Sequence, residues 1–384
     1  MTRQELESLK IGYVPYSTDL THPADRRRLA AWAFNKGISL NVENPLESDI
    51  LVLSNAANFG RWLSRATQPV ILDLVDGYIG ERPIFIKDFA RNVLRSLRGT
   101  SNLKWITYSR HIRIACQKSD AVIVASPEQR ETVLNYNSNV HVILDSHSEL
   151  SMQERQKNGQ ISNGLSSENK KYLLWEGFGY TLKHFRLIAK ELDEFLSRGN
   201  WGMYLVTVEV FPRWGGFLGK IDSQTLLKKW FPKSWEHIII IPWSIENLKK
   251  YAAVSECGII PIDKSDKFAA LKSENKLLSM WQLGLPVSFS NIPSYLRVAR
   301  ASNQSLFCLD NDEWSEFLDS LLDLNQKHLS GRNERRVYLS KFHTDEILMQ
   351  KWSEVIDGLT GKVTLNLGSH NQASRKSTLM RPTE

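Results

Sequence analysis

Short apolar runs alternate with stretches of helical spacing along two long segments of this chain. In the first, residues 10–14, 49–54, 70–74, 121–125 and 140–144 read as strands. Residues 23–36, with Leu29, Trp32 and Ala33 recurring on one face, and residues 127–134 read as helices. Continuous apolar strands of about five residues separated by helices predict a parallel sheet covered on both faces. In the second segment the alternation resumes. Strands are expected at 172–175, 203–208, 237–241, 257–260, 286–288 and 306–309, and helices at 182–195, 244–253, 274–283, 294–299 and 312–324. Residues 151–171, rich in Asn, Ser, Gln and Gly, lack the apolar residues a core needs and read as a linker or disordered loop. Residues 361–384 read as a disordered tail for the same reason. The expected organisation is therefore two doubly wound α/β domains, 1–150 and 172–360, joined by that linker.

Composition narrows the class. Hydrophobic residues make up 42% and charged residues 24% of 384, as in ordinary globular proteins. No apolar run approaches the ~20 residues that span a bilayer. The opening stretch MTRQELESLKIG has no apolar core of the secretory kind, and Cys116, Cys257 and Cys308 are too few and too dispersed for a disulfide framework or a zinc site. A reducing cytoplasm is the expected compartment. The net charge of +7 is uneven. Residues 81–118 carry nine basic and two acidic residues and the tail carries four and one, so the remainder is slightly acidic. That distribution does not suit nucleic acid, whose binders carry a basic footprint across a recognisable binding fold.

Three segments of the second domain carry candidate chemistry. In KSENKLLSMWQLGLPVSFSNIPSY (272–295), a helix is expected from Glu274, capped by Ser273 and ended by Gly284. Asn275 and Lys276 then fall in its first turn, where unpaired N–H groups and a full positive charge suit a pyrophosphate; an ordinary helix with a solvated lysine is the alternative. In WEGFGYTLK (175–183), Gly177 and Gly179 follow a strand and allow close backbone approach to a ligand, or simply make a turn. In IPWSIEN (241–247), Trp243 can stack on a ring or belong to the core, and Ser244 suits a helix cap. In the first domain, His22, Asp25 and Asp76, with Asp19 and Asp73, are the candidate acids and bases; Asp25 also suits a helix first turn and Asp73 a strand-end hydrogen bond. Asp310-Asn311-Asp312 matches a D-x-D pattern, but Asp312 reads as a helix cap.

The 272–295 segment resembles the donor-site motif of GT-B glycosyltransferases of the bacterial group-1 type, in which an Asn-Lys or Asn-Arg pair opens a helix that ends in Gly-x-Pro-Val. The first half is similar to bacterial glycosyltransferases at THPADRRR (21–28), SDILVLSN (48–55), ILDLVDGY (71–78), SDAVIVASPEQR (119–130) and VHVILDSH (140–147). The resemblance runs along most of residues 10–358. It implies two Rossmann-like domains facing a cleft, with the acceptor on the first and a nucleotide-sugar on the second. It also implies a last helix near 344–359 that crosses back to the first domain. The donor set would be Gly177, Gly179, Lys183, Trp243, Ser244, Glu274, Asn275 and Lys276, with His184 as a second basic candidate beside Lys183; His22, Asp25 and Asp76 would be the catalytic candidates. No metal or cofactor is called for, since the lysines and helix N-termini would offset the departing diphosphate.

One departure stands out. Retaining members of the fold often carry two glutamates eight positions apart, where this chain has Leu271 and Ser279. The function implied is sugar transfer to a glycan or lipid-linked acceptor, in bacterial surface polysaccharide or lipopolysaccharide synthesis. The rivals are a non-catalytic GT-B module that binds a nucleotide-sugar or a partner, and an epimerase of the same fold. Residues 84–98 set Ile84, Phe85, Phe89, Val93, Leu94 and Leu97 beside Lys87, Arg91, Arg95 and Arg98. This is the pattern of a helix lying at an anionic membrane, or of one packed on the sheet with a solvated basic face.

Overall fold

The computed structural model describes residues 9–75, 77, 79, 85–97, 99, 106–150, 170–212, 219–266, 268–322 and 331–360. The expected tail, and all of the expected linker but residues 170 and 171, lie outside them. The chain forms two compact units. One comprises residues up to Ser146 together with those from Asp345 onward, and the other is His147–Thr344.

The first unit contains β1 (Ile11–Val14), β2 (Leu40–Asn41), β3 (Ile50–Ser54), β4 (Val70–Leu74), β5 (Ala121–Val124) and β6 (Val140–Val142). They pair in the order β2-β1-β3-β4-β5-β6, all parallel. Alternate residues of one strand feed two cores. Ile50 and Val52 join one cluster, Leu51 and Leu53 the other. This is the period-2 geometry of a strand buried on both faces, and it explains why these strands are apolar without interruption.

The helix through residues 345–360 belongs to this unit rather than to the 172–360 segment. Leu348, Met349, Trp352, Val355, Ile356 and Leu359 recur at helical spacing and are buried with Ile11, Trp32 and Ile50. Trp32 Nε1 donates to Ser353 Oγ at 3.0 Å, and Ser146 Oγ donates to Asp345 at 2.6 Å.

The second unit contains β7 (Lys171–Glu176), β8 (Trp201–Thr207), β9 (Val210–Pro212), β10 (Lys220–Asp222), β11 (Ile238–Pro242), β12 (Cys257–Ile260), β13 (Val287–Ser290) and β14 (Cys308–Leu309). Six of them form a parallel sheet in the order β11-β8-β7-β12-β13-β14; β9 and β10 make a separate antiparallel hairpin that the apolar pattern does not announce. Because all six strands run one way, their carboxyl ends share one edge. The segments following β7, β11 and β12 therefore gather there.

Two helices depart from expectation. Residues 23–36 form two helices, Pro23–Arg26 and Leu29–Lys36, interrupted where Arg28 turns inward to a fully buried position. The expected helix 182–195 is a 3₁₀ run, Gly179–Leu187, followed by the α-helix Ala189–Ser197. Leu182, Phe185 and Ile188, all buried, recur every third residue, which matches the three-residue turn of a 3₁₀ helix.

Candidate functional site

At the carboxyl edge of the second sheet, β7 ends in Trp175-Glu176 and turns at Gly177, whose φ is +156°. The turn is anchored on β8. Gly177 N donates to Val206 O at 3.1 Å, and Thr207 Oγ1 donates to Gly177 O at 2.6 Å. A Cβ at Gly177 would lie 2.6 Å from Lys276 Nζ, and one at Gly179 would lie 2.1 Å from the Phe211 ring. Both glycines are thus required by close approach, the reason glycine is used where a backbone must lie against another group.

Lys276 stands in the first turn of the Asn275–Gln282 helix. It is half-buried and is not the solvated lysine of an ordinary helix. Its Nζ donates to Glu176 O at 2.6 Å and lies 4.7 Å from the centre of the Trp175 ring. Burial holds its pKa below the usual lysine value, and the Glu176 carboxylate partly restores it. Glu274 occupies the cap position with no side-chain cap bond, so Ser273 does not play that part. The Glu274 carboxylate is buried and receives Arg297 Nη2 at 3.0 Å on both oxygens. Ser279, where the resemblance leads one to look for a glutamate, donates to Lys276 O at 2.8 Å.

Around Lys276 lie further charges. Lys183 pairs with Asp266 at 2.6 Å. His184 is buried; its Nδ1 accepts from Asp263 N at 3.2 Å, and Lys272 Nζ stands 2.8 Å from its Nε2. Burial first, then the ammonium groups of Lys272 and Lys183, holds His184 down at about 3. Lys272 thus lies against a neutral imidazole, while Lys183 is paired with Asp266, whose carboxylate also stands 3.7 Å from His184 Nε2. Trp243, at the end of β11, is half-buried and directs Nε1 at Glu176 Oε2, 3.4 Å away. Ser244 Oγ accepts from Asn247 N and caps the Ile245–Ala253 helix. The structure thus brings Gly177, Lys276 and Trp243 around Trp175-Glu176, and Lys183 with His184 beside Asp266. It engages Glu274 with Arg297.

The candidates of the first unit separate. Asp25 is fully buried and accepts from Tyr13 OH at 2.6 Å and from the N–H groups of Tyr16 and Ser17 at 2.9 Å each. Both its oxygens hold the loop after β1, so it is unsuited to take a proton from an acceptor. His22 caps the Pro23–Arg26 helix through Nδ1, which accepts from Ala24 N at 3.2 Å, and it stacks on Tyr16 with centroids 4.6 Å apart. That cap puts the ring proton on Nε2, so His22 offers a donor there rather than a lone pair. Asp76 lies outside the described residues.

Sequence reasoning missed a buried network. Arg28 forks onto Asp73, with contacts of 2.6 to 3.1 Å, and also reaches Asp145 at 3.0 Å and Ile143 O at 2.8 Å. Asp73, a candidate above, is held in this pair. Asp310 of the D-x-D pattern pairs with Lys264 and Asn291.

The basic segment also reads differently in three dimensions. In the helix Phe85–Leu97, Asp88 and Asn92 are buried: Asp88 accepts from Ser109 N and Oγ at 3.0 and 2.7 Å, and Asn92 donates to Ile106 O at 2.8 Å. Arg95, expected on a solvated basic face, points inward. It lies 4.7 Å from the Tyr108 ring and donates to the carbonyls of Asn55, Ala56 and Ala57 at 3.3 Å each. Leu97 is 71% exposed, and Val93 and Leu94 are half-buried. The helix thus turns a polar side inward and leaves Leu97 exposed. The side chains of Phe85, Lys87 and Arg91, and residue Arg98, lie outside the described residues. None of the described helices is long and apolar enough to cross a membrane.

No family model matches the chain, and no curated protein sequence does. Solved structures match it in fold. The structure of TarM superimposes with a TM-score of 0.54 at 10% identity, over 80% of this chain and 54% of that one; the chain spans about half the length of that protein. A glycosyltransferase from Rickettsia africae gives 0.54 at 11% identity over 91% of this chain and 98% of its own. A UDP-forming α,α-trehalose-phosphate synthase from Burkholderia xenovorans gives 0.53 at 8% identity over 89% and 85%. With two parallel six-stranded sheets and these neighbours, the chain has the two-domain Rossmann-like GT-B fold.

Proposed function

We propose that this GT-B chain is a glycosyltransferase that moves a sugar from a nucleotide-sugar donor to a glycan or lipid-linked acceptor, in bacterial surface polysaccharide or lipopolysaccharide synthesis. One observation carries the reading. The Lys276 ammonium is fixed against the glycine turn that ends the central strand β7. In such a transfer, negative charge grows on the diphosphate as it leaves, and preorganised cations there stabilise the transition state more than the ground state. Trp243 would face the nucleobase. Since Asp25 is engaged, Asp73 is held by Arg28 and His22 presents a proton, Asp76 and Asp19 are the remaining candidates for the base that takes the acceptor's hydroxyl proton. That the R. africae glycosyltransferase and the B. xenovorans UDP-forming trehalose-phosphate synthase share this fold supports the reading. The test is a thermal-shift panel of UDP, GDP and ADP, followed by hydrolysis of the sugar nucleotide that matches the strongest shift. Absence of any nucleotide shift would end the reading. Binding without hydrolysis or transfer would favour a non-catalytic nucleotide-sugar module, the alternative that Ser279 at the expected glutamate position supports.

The acceptor would be met at the cytoplasmic face of an anionic membrane. The support is the helix Phe85–Leu97, which exposes Leu97 and leaves Val93 and Leu94 half-buried within a strongly basic segment. Replacing Leu94 and Leu97 by Glu should abolish flotation with phosphatidylglycerol vesicles at low salt while nucleotide binding persists. Unchanged flotation would refute the contact.

A further inference from the structure

The turn that carries Gly177 also presents two aromatic rings, Phe178 and Tyr180. Phe178 is 49% exposed and Tyr180 is 63% exposed, and their rings are parallel within 3° with centroids 6.1 Å apart. Single exposed apolar residues need no explanation, but two adjacent stacked rings on a rigid turn make an apolar patch. Rigidity here is visible bond by bond. Thr181 donates to Phe178 O through both N and Oγ1, at 2.8 and 2.7 Å. Gly179, between the two rings, is pressed against the buried ring of Phe211, and Gly177, before them, against Lys276 Nζ. The aromatic face is therefore preorganised beside the ammonium group.

We propose that Phe178 and Tyr180 form the surface on which the sugar ring of the nucleotide-sugar donor stacks, an inference that rests on the function proposed above. The argument is one of reach. A phosphate paired with Lys276 lies at Gly177, and Phe178 is the next residue, its Cα one virtual bond of about 3.8 Å away. In a nucleotide-sugar the hexose is joined to the distal phosphate through a single oxygen. The nucleobase is removed by a second phosphate and a ribose. It would lie toward Trp243, which meets the Glu176 side chain, on the other side of Gly177 along the chain from Phe178. The ring nearest the aromatic pair is then the sugar. Its axial C–H bonds make an apolar face that packs on an aromatic plane, while its hydroxyls remain in water. The same pair would help to select which sugar is accepted, because the orientation of each hydroxyl decides how flat that face is.

The test compares two ligands on the same variants. Phe178→Ala, Tyr180→Ala and the double variant are titrated by calorimetry with the nucleoside diphosphate that binds wild type most tightly and with its hexose conjugate, such as UDP and UDP-glucose or GDP and GDP-mannose. The expected result is conjugate affinity about five- to tenfold weaker per ring, with diphosphate affinity unchanged within twofold. Phe178→Tyr and Tyr180→Phe should keep wild-type affinity for both. Equal loss for the two ligands would place the base or the phosphates on the rings and overturn the proposal. So would unchanged affinity for both, which would leave the rings to the acceptor. A wild-type protein that binds no nucleoside diphosphate would instead overturn the donor-site reading itself, and this inference with it.

Discussion

Replacing Lys276 by Met keeps the aliphatic stem over Trp175 and removes the charge. Two structural contacts are lost: the 2.6 Å hydrogen bond to Glu176 O and the cation–π contact at 4.7 Å. A half-buried carbonyl that loses a charged donor costs about 1–3 kcal/mol, and the cation–π contact is worth about 0.5–2 kcal/mol. Against these stands relief from keeping an ammonium group in a poorly solvated place, the cause of its lowered pKa. The net loss of stability should be about 1 kcal/mol, small enough to leave a folded protein. Binding should suffer more. A charged hydrogen bond to phosphate is worth about 1.5–3 kcal/mol, so the affinity for the nucleoside diphosphate should fall about 10- to 150-fold.

The pH dependence adds a check. In the unliganded protein, Lys276 loses its proton below the usual lysine value of 10.5. Bound phosphate favours the charged form, so the complex takes up a proton in that alkaline range. Affinity for the diphosphate should then decline as pH rises through the lowered value in wild type, and this limb should be missing in Lys276→Met. Its stability sign is the reverse of a stabilising pair: the charged lysine is disfavoured in the fold, and the penalty present at neutral pH is relieved toward 10.5. Calorimetric titration from pH 7 to 10.5 measures the binding limb. Equal affinity in the variant, or the same alkaline decline, would refute the assignment of phosphate to Lys276.

Two further outcomes are expected. His184 is held at about 3 against an ordinary 6.5, so the fold keeps it neutral; stability should fall as pH drops from 6.5 toward 3, and His184→Gln should flatten that part of the urea-midpoint profile. Arg28→Met should cost about 3–5 kcal/mol in urea unfolding, because it leaves Asp73 and Asp145 buried without their partner, and adding Asp73→Asn should recover part of the loss.

The repeated strands were legible in the sequence because parallel strands buried on both faces are apolar without interruption, as Ile50–Ser54, Val70–Leu74 and Ala121–Val124 show. From them and the 272–295 motif followed the two-domain GT-B fold. A lysine in the first turn of a helix was likewise visible in advance; its partner, Glu176 O, is 100 residues away and was not. Periodicity reports that a helix has two faces and does not report which one turns inward. In Phe85–Leu97 the polar face with Asp88, Asn92 and Arg95 is the inner one, because acceptors and donors from Asn55 to Ser109 await it there. Arg28 has the same lesson in a stronger form. In a helical pattern an arginine reads as solvent-facing, yet it bends the chain inward to meet carboxylates 45 and 117 residues further on. Local pattern determines which elements form, since it depends on neighbours a turn away. Which side of an element is buried, and which charges are drawn inside with it, depends on partners that only the folded chain brings within hydrogen-bonding distance.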